Sequence, residues 1–145
     1  MFELDWAIEI SMTGRLLFAG ILGGIVGLER ELHNSSAGIR TYSAISMGAC
    51  AFGLVSMHVE APDPTRIAAQ VVSGIGFIGA GVIFKSENRM VGLTTAATVW
   101  ATASIGLAVA FKMLLLPTAT AVLLACLLAL HHLPFIQKEK DKDRR

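Results

Sequence analysis

Charge is scarce in this sequence, and its scarcity decides the class of protein. Charged residues make up 16% of the 145 residues, against about 25% in ordinary globular proteins. Apolar residues make up 54%, long stretches carry no charge at all, and mean hydropathy is +0.63. This distribution excludes intrinsic disorder and a water-soluble enzyme core, and it predicts an integral membrane protein.

Cysteines, net charge and reactive clusters are scarce as well. Cys50 and Cys126 lie inside apolar runs without CxxC spacing, so we expect reduced packing residues. A net charge of only +1 predicts no nucleic-acid partner. The adjacent His131 and His132 would point about 100° apart on a helix and could not share one metal. With no nucleophile–base pair in view, we expect neither an enzyme nor a cofactor nor a metal site.

The long apolar runs predict an all-α fold, an integral membrane bundle of five transmembrane helices. A spanning helix needs about 20 apolar residues. The run at 16–28 is shorter than this and can span only if its helix extends back through Arg15 towards Ile8, with Arg15 at the interface or paired. The other four runs are 41–57, 67–84, 90–111 and 113–130.

Lysine and arginine gather on one side of this predicted bundle. Nine of them lie in the tail, between the first two runs and between the third and fourth. The other side holds only three, together with five of the eleven acids. Because basic residues favour the cytoplasm, we expect the amino terminus outside and the carboxyl terminus in the cytoplasm. The transmembrane domain would cover 1–134, and 135–145 would form a charged cytoplasmic tail.

Small residues at helical spacing occur in every predicted span. In a membrane, helices associate by close packing, which small residues allow. We therefore expect a compact bundle, packed mainly within one chain, with a homo-oligomeric face as well. The expected seams are Gly20/Gly24/Gly27, Ala44/Gly48/Ala51, Ala69/Ser73/Gly76/Ala80, Ala97/Ala101/Ser104/Ala108 and Ala121/Ala125/Ala129.

Polar residues near the predicted cytoplasmic helix ends are candidates for function. Glu29 and Arg30 close the first span, and Arg40 opens the second after a short loop. They could form an interfacial belt of ion pairs, with Glu29 near Arg40, each exposed pair worth up to about 1 kcal/mol. They could instead form a docking surface or an ion vestibule shared with the charges at 85–89.

The third and fourth spans carry a second group of candidates. Asp63 suits an N-cap, with Pro64 in the first helical position, and its carboxylate with Glu60 would make a poor Mg²⁺ site. Arg66 and Gln70 follow one turn apart. Thr94 opens a threonine stripe that continues through Thr98 and Thr102, which by itself is usually structural.

Three ordered blocks of sequence carry a resemblance. They read G-I-L-G-G-I-V-G-L-E-R-E … A-G-I-R-T over 20–41, D-P-T-R-I-A-A-Q-V-V-S-G-I-G-F-I-G-A-G-V-I over 63–83, and G-L-T-T-A-A … W … I-G-L-A over 92–108. Together they resemble the MgtC/SapB family of bacterial inner-membrane proteins. Many members add a soluble cytoplasmic domain, so this chain would be a short form with the membrane domain alone.

The resemblance implies a function without catalysis. It suggests a multi-pass inner (plasma) membrane protein that binds other membrane proteins, including the F-type ATP synthase, and so acts on membrane potential, pH or Mg²⁺ homeostasis. Family members are linked to growth in low magnesium, acid tolerance, intracellular survival and virulence. The alternative is an oligomeric channel or transporter for Mg²⁺ or H⁺. The polar positions inside the matching motifs are Glu29, Arg30, Arg40, Asp63, Arg66, Gln70 and Thr94.

Overall fold

The computed structural model describes residues 5–59, 63, 65–86 and 89–130. Over these residues the chain forms five helices and one short hairpin, so the prediction of five helices is confirmed. The predicted tail at 135–145 lies outside the described residues. The elements are α1 (Trp6–Leu32), α2 (Ile39–His58), α3 (Thr65–Gly81), β1 (Phe84–Ser86), β2 (Arg89–Val91), α4 (Leu93–Ala110) and α5 (Leu115–Leu130).

Helix α1 extends well beyond its apolar run, as the sequence predicts. It begins after Asp5, whose carboxylate accepts hydrogen bonds from the N–H groups of Ala7 and Ile8 at 3.0 and 3.4 Å. Arg15 lies inside the helix, and its Nη1 donates to the carbonyl oxygen of Ala110 at 2.9 Å. The arginine therefore has a protein partner, a free carbonyl in the last turn of α4.

The hairpin between α3 and α4 corrects two predicted boundaries. The predicted runs extend to Phe84 and begin again at Met90, but α3 ends at Gly81 and α4 begins at Leu93. Phe84 pairs with Val91 across the antiparallel strands. Apolar periodicity does not distinguish a short strand from a helix end, so the runs concealed the hairpin.

Gly92 connects the end of β2 to the start of α4. Its φ is +91°, which favours glycine, and a Cβ here would overlap the carbonyl oxygen of Val82.

Helix α4 lies at the centre of the bundle and contacts each of the other helices. Glycines bring α1 and α4 close to α2. A Cβ on Gly23 or Gly27 would come within about 3 Å of the α2 backbone, and one on Gly106 would overlap the Ser46 carbonyl oxygen. Close backbone approach of this kind is how small residues hold helices together in a membrane, so the expected seam on α1 is confirmed.

As packing faces within one chain, the expected seams on α3 and α4 are wrong. A Cβ on Gly76 would meet nothing within 4 Å, and Ala80 is exposed, as are Ala97 and Ser104 on α4. A helix rich in glycine, alanine and serine carries small residues at this spacing on more than one face, so the spacing does not identify the packed face. The buried face of α4 consists of Thr95, Ala96, Thr98, Val99, Thr102, Ala103, Ile105, Gly106, Val109 and Ala110.

The outer surface of the described bundle is strongly apolar. Many large apolar side chains are exposed, among them Phe77 at 87% and Leu115 at 83%. Within the described residues, α1 and α4 are long and apolar enough to cross a membrane, and α5 is apolar but has only 16 residues. Large apolar patches on a protein surface mark contact with lipid or with other proteins.

Candidate functional site

A cavity of about 520 Å³ lies where α1 ends and α4 begins. Its polar lining comes from Arg30 on α1, from Ser35 and Ser36 in the loop to α2, and from Thr94 and Thr95 in the first turn of α4. The hairpin contributes apolar side chains to the wall. We call this cavity the Arg30 pocket. It brings together two residues that the sequence singled out, Arg30 and Thr94, although they lie 64 positions apart.

Arg30 is the charged group of this pocket. Its Nη2 donates to Ser35 Oγ at 2.6 Å and to Thr95 Oγ1 at 3.5 Å. Its Nε is buried and has no hydrogen-bond acceptor among the described residues. No described carboxylate lies within 4 Å of the guanidinium. The described residues therefore supply hydroxyls to Arg30 and leave its positive charge without an adjacent counter-ion.

The start of α4 adds a second source of positive electrostatic potential to the pocket. No side chain of the described residues caps this end, and the preceding residue, Gly92, is left-handed. The first N–H groups of a helix have no acceptor within the helix, and they carry the positive end of its dipole. A left-handed residue followed by helical residues also turns successive N–H groups into a concave nest that suits anions.

The acids beside Arg30 in the sequence are engaged elsewhere. Glu29 Oε1 lies 3.1 Å from Nδ1 of His33, one turn along α1, and the Glu29 side chain is only 11% exposed. Glu31 Oε2 accepts a hydrogen bond from the N–H of Ile39 at 2.9 Å and so caps the start of α2.

The expected proximity of Glu29 and Arg40 as an ion pair is wrong. Arg40 is exposed and has no described carboxylate within 4 Å. Residues 29 and 31 lie about 200° apart around the helix, so only one of these acids can face α2, and Glu31 is the one that does.

Arg40 lines a second, smaller cleft of about 220 Å³, together with Glu31, Ser35 and Ser36. The two serines line the Arg30 pocket as well, so both arginines lie at one end of the bundle. Sequence reasoning missed Ser35, Ser36 and Thr95. The available signals were a loop rich in hydroxyls between two helices and two threonines that follow Gly92 and Leu93, a pattern that can open a helix.

Asp63 lies at the opposite end of the bundle and acts as the predicted cap. Its Oδ1 accepts hydrogen bonds from the N–H of Thr65 at 2.9 Å and from the Thr65 hydroxyl at 2.6 Å. These bonds, the hydroxyl first and then the N–H, lower the pKa of Asp63, and the charge of Arg66 adds to the effect. The predicted place of Pro64 lies outside the described residues.

Gln70 is separate from both groups of charges. It is exposed and borders an apolar groove of about 600 Å³ between α2 and α3. The seven candidates are therefore distributed over three places. Arg30, Thr94 and Arg40 line the two clefts at one end, and Glu29 lies on α1 beside them. Asp63 and Arg66 lie at the other end, and Gln70 lies in the groove.

A row of buried hydroxyls continues inward from the Arg30 pocket. Tyr42 Oη and Thr98 Oγ1 are 2.5 Å apart, and Thr98 Oγ1 also donates to the Thr95 carbonyl at 3.0 Å. Thr102 Oγ1 donates to the Thr98 carbonyl at 2.8 Å. The row ties α2 to α4. Thr94, the first residue of the predicted stripe, is exposed instead and lines the pocket.

Comparison with known proteins identifies the family of this chain. The model of the MgtC family matches residues 16–137. The chain belongs to the MgtC family. The family and the two long apolar helices together indicate a membrane protein. No solved structure matches the chain significantly.

Several relatives within the MgtC family are close in sequence. A protein named "Putative magnesium transporter YhiD" from Escherichia coli K12 is 42% identical over 81% of this chain and 59% of its own length. Protein SapB from Bacillus subtilis is 36% identical over 97% of this chain and 64% of its own length. Protein MgtC from Brucella abortus is 48% identical over 61% of this chain and 37% of its own length. The chain thus spans less than two thirds of each of these relatives.

Proposed function

We propose that this MgtC-family chain modulates other membrane proteins, without catalysis, through the polar end of the bundle formed by the Arg30 pocket and the Arg40 cleft. The observation that carries the proposal is the state of Arg40, which is exposed and has no described carboxylate within 4 Å. An exposed cation without an internal partner can form a charge pair with another protein. Arg15, by contrast, is used internally, because it donates to the Ala110 carbonyl.

The proposal includes five spans in the bacterial inner membrane, with the amino terminus outside and the carboxyl terminus in the cytoplasm. Support comes from the five helices, from the apolar side chains exposed on them and from the excess of lysine and arginine on one side. Topology reporters test it. Fusions after Glu60 should report an external position, and fusions after Ser86 or Lys138 a cytoplasmic one. A cytoplasmic signal after Glu60 would contradict five spans.

The proposed partner is a membrane protein, and the resemblance suggests the F-type ATP synthase. Binding to this partner would affect membrane potential, pH or Mg²⁺ homeostasis. The name of the Escherichia coli relative supports the link to magnesium. The other expected partners are further copies of this chain and the surrounding lipid bilayer.

Substitution of Arg40 tests the docking role. Arg40→Gln should leave the protein inserted at normal levels, because the side chain is exposed, yet abolish its support of growth in low magnesium. Loss of one partner of a desolvated interfacial charge pair costs about 2–5 kcal/mol, or roughly 30-fold to several thousand-fold in binding. Lys112→Gln, which removes an exposed charge after the far end of α4, is the matched control and should remain active. Full activity of Arg40→Gln would refute the docking role.

An ion pathway formed by several copies is the second candidate. Two observations favour it. One is the name of the YhiD relative, which contains the words "magnesium transporter". The other is the row of buried hydroxyls at the bundle centre. Purified protein in liposomes, assayed for Mg²⁺ and H⁺ flux, separates the candidates. Flux above that of empty liposomes would favour the pathway, and its absence in liposomes that contain inserted protein would favour the modulator.

A further inference from the structure

We propose that the Arg30 pocket binds a phosphate group, carried either by a soluble phosphate compound or by the headgroup of a lipid. This inference goes beyond the modulator role and does not depend on it, since a phosphate could occupy the pocket whether or not the chain acts on a partner.

The charge of Arg30 favours an anionic occupant. Arg30 is half-buried, and its Nε has no acceptor among the described residues. The nearest acids in sequence lie beside other groups: Glu29 Oε1 is 3.1 Å from His33 Nδ1, and Glu31 caps the start of α2. Taking a charge out of water is costly unless an opposite charge compensates it. The pocket therefore favours an occupant that brings negative charge to the guanidinium.

The hydrogen-bond donors around the cavity suit a phosphate group. Three independent kinds of donor line it: the guanidinium of Arg30, the hydroxyls of Ser36 and Thr94, and the uncapped start of α4 after Gly92. Phosphate carries several acceptor oxygens and suits both an arginine fork and a helix start. A carboxylate, with two oxygens, would satisfy fewer of these donors.

The size and the apolar edge of the cavity suit an occupant larger than a phosphate ion. Its volume of about 520 Å³ is much larger than one phosphate group needs, so the cavity has room for more than the phosphate itself. Phe84, Met90 and Leu93 line the same cavity and are each more than half exposed. This apolar edge can accept the non-phosphate part of the occupant, such as the glycerol and first methylenes of a lipid.

Phosphate-dependent thermal stability of the full chain tests the proposal. The chain would be purified in dodecyl maltoside, which has no phosphate, and unfolding followed by fluorescence of Trp6 and Trp100. One arm titrates inorganic phosphate at constant ionic strength. The other adds dioleoyl phosphatidic acid, with dioleoylglycerol as the control that has the same tails and no phosphate. A ligand that binds only the folded state should raise the unfolding midpoint.

Variants at Ser36 make the test specific to this pocket. Ser36 is exposed, so Ser36→Asp should fold, and its carboxylate at the pocket should weaken phosphate binding about tenfold or more. Ser36→Asn, the uncharged isostere of Ser36→Asp, should bind phosphate about tenfold or more tightly than Ser36→Asp does. Arg30→Gln should abolish the response. Lys85→Gln, which removes an exposed charge outside the pocket, should retain it.

Each outcome decides the proposal or its source. A midpoint that rises in both arms supports a phosphate site open to both sources, and a rise with inorganic phosphate alone identifies a soluble occupant. A response to phosphatidic acid alone, absent with dioleoylglycerol, identifies a lipid headgroup, and any of these results with the expected variant pattern supports the proposal. No response of the wild type in either arm would overturn it. An equal response of Ser36→Asp and Ser36→Asn would also overturn it, and this comparison holds even if Arg30→Gln fails to fold.

Discussion

Gly106→Ala should destabilise the bundle, whereas Gly76→Ala should not. Both glycines lie inside helices, Gly106 in α4 and Gly76 in α3. A Cβ on Gly106 would overlap the Ser46 carbonyl oxygen on α2 and would lie 3.0 Å from the Cβ of Ala49. A Cβ on Gly76 would meet nothing within 4 Å. The two substitutions are chemically identical, so their difference isolates helix packing.

The expected magnitudes follow from these contacts. Alanine favours a helix over glycine by about 1 kcal/mol, and this gain acts alone at Gly76. At Gly106 it is opposed by overpacking, which costs about 1–3 kcal/mol or more. The upper end applies because the obstacle is the backbone of α2, which can move only if the helix shifts. The two variants should therefore differ by about 3 kcal/mol, or by about 10 °C in unfolding midpoint.

Thermal unfolding in detergent, followed by tryptophan fluorescence and by the fraction of protein that stays monodisperse, measures this difference. Gly106→Ala should unfold below the wild type, and Gly76→Ala at or above it. A Gly106→Ala variant as stable as the wild type would mean that α2 and α4 do not meet at this glycine. A destabilised Gly76→Ala variant would mean that the exposed face of α3 packs against another copy or partner.

Two further predictions concern single hydrogen bonds. Tyr42→Phe should cost about 0.5–1.5 kcal/mol, because it removes one of the two hydrogen-bond partners of the buried Thr98 hydroxyl. Combined with Thr98→Val it should cost less than the sum of the single variants, and additive values from thermal unfolding would contradict the bond. Thr65→Val should raise the pKa of Asp63 towards the ordinary aspartate value, since the hydroxyl bond contributes most to lowering it, and carboxyl NMR titration would check this. Because folding lowers that pKa, the stability it contributes is complete above the ordinary value and is lost as pH falls through the folded-state pKa, so an acid-side stability profile unchanged by Thr65→Val would count against the bond.

The number and position of the helices could be predicted from the sequence. Five apolar runs separated by charged or proline-containing segments became five helices, because apolar length and the need to pair backbone groups act locally along the chain. Local chemistry also predicted the cap at Asp63, since the carboxylate and its donor, Thr65, are two residues apart. Family membership could be predicted from the ordered motifs as well, because each motif consists of residues that are close together in the sequence.

The packed faces of the helices, and the site itself, depended on the tertiary structure. Small residues occupy more than one face of α3 and α4, so spacing alone selected Gly76 and missed Gly106. The Arg30 pocket joins residues from the end of α1, the following loop and the start of α4, and their convergence depends on how the helices pack around α4. Arg30 and Thr94 could each be named from the sequence, but only their proximity in space makes a charged pocket at an uncapped helix start.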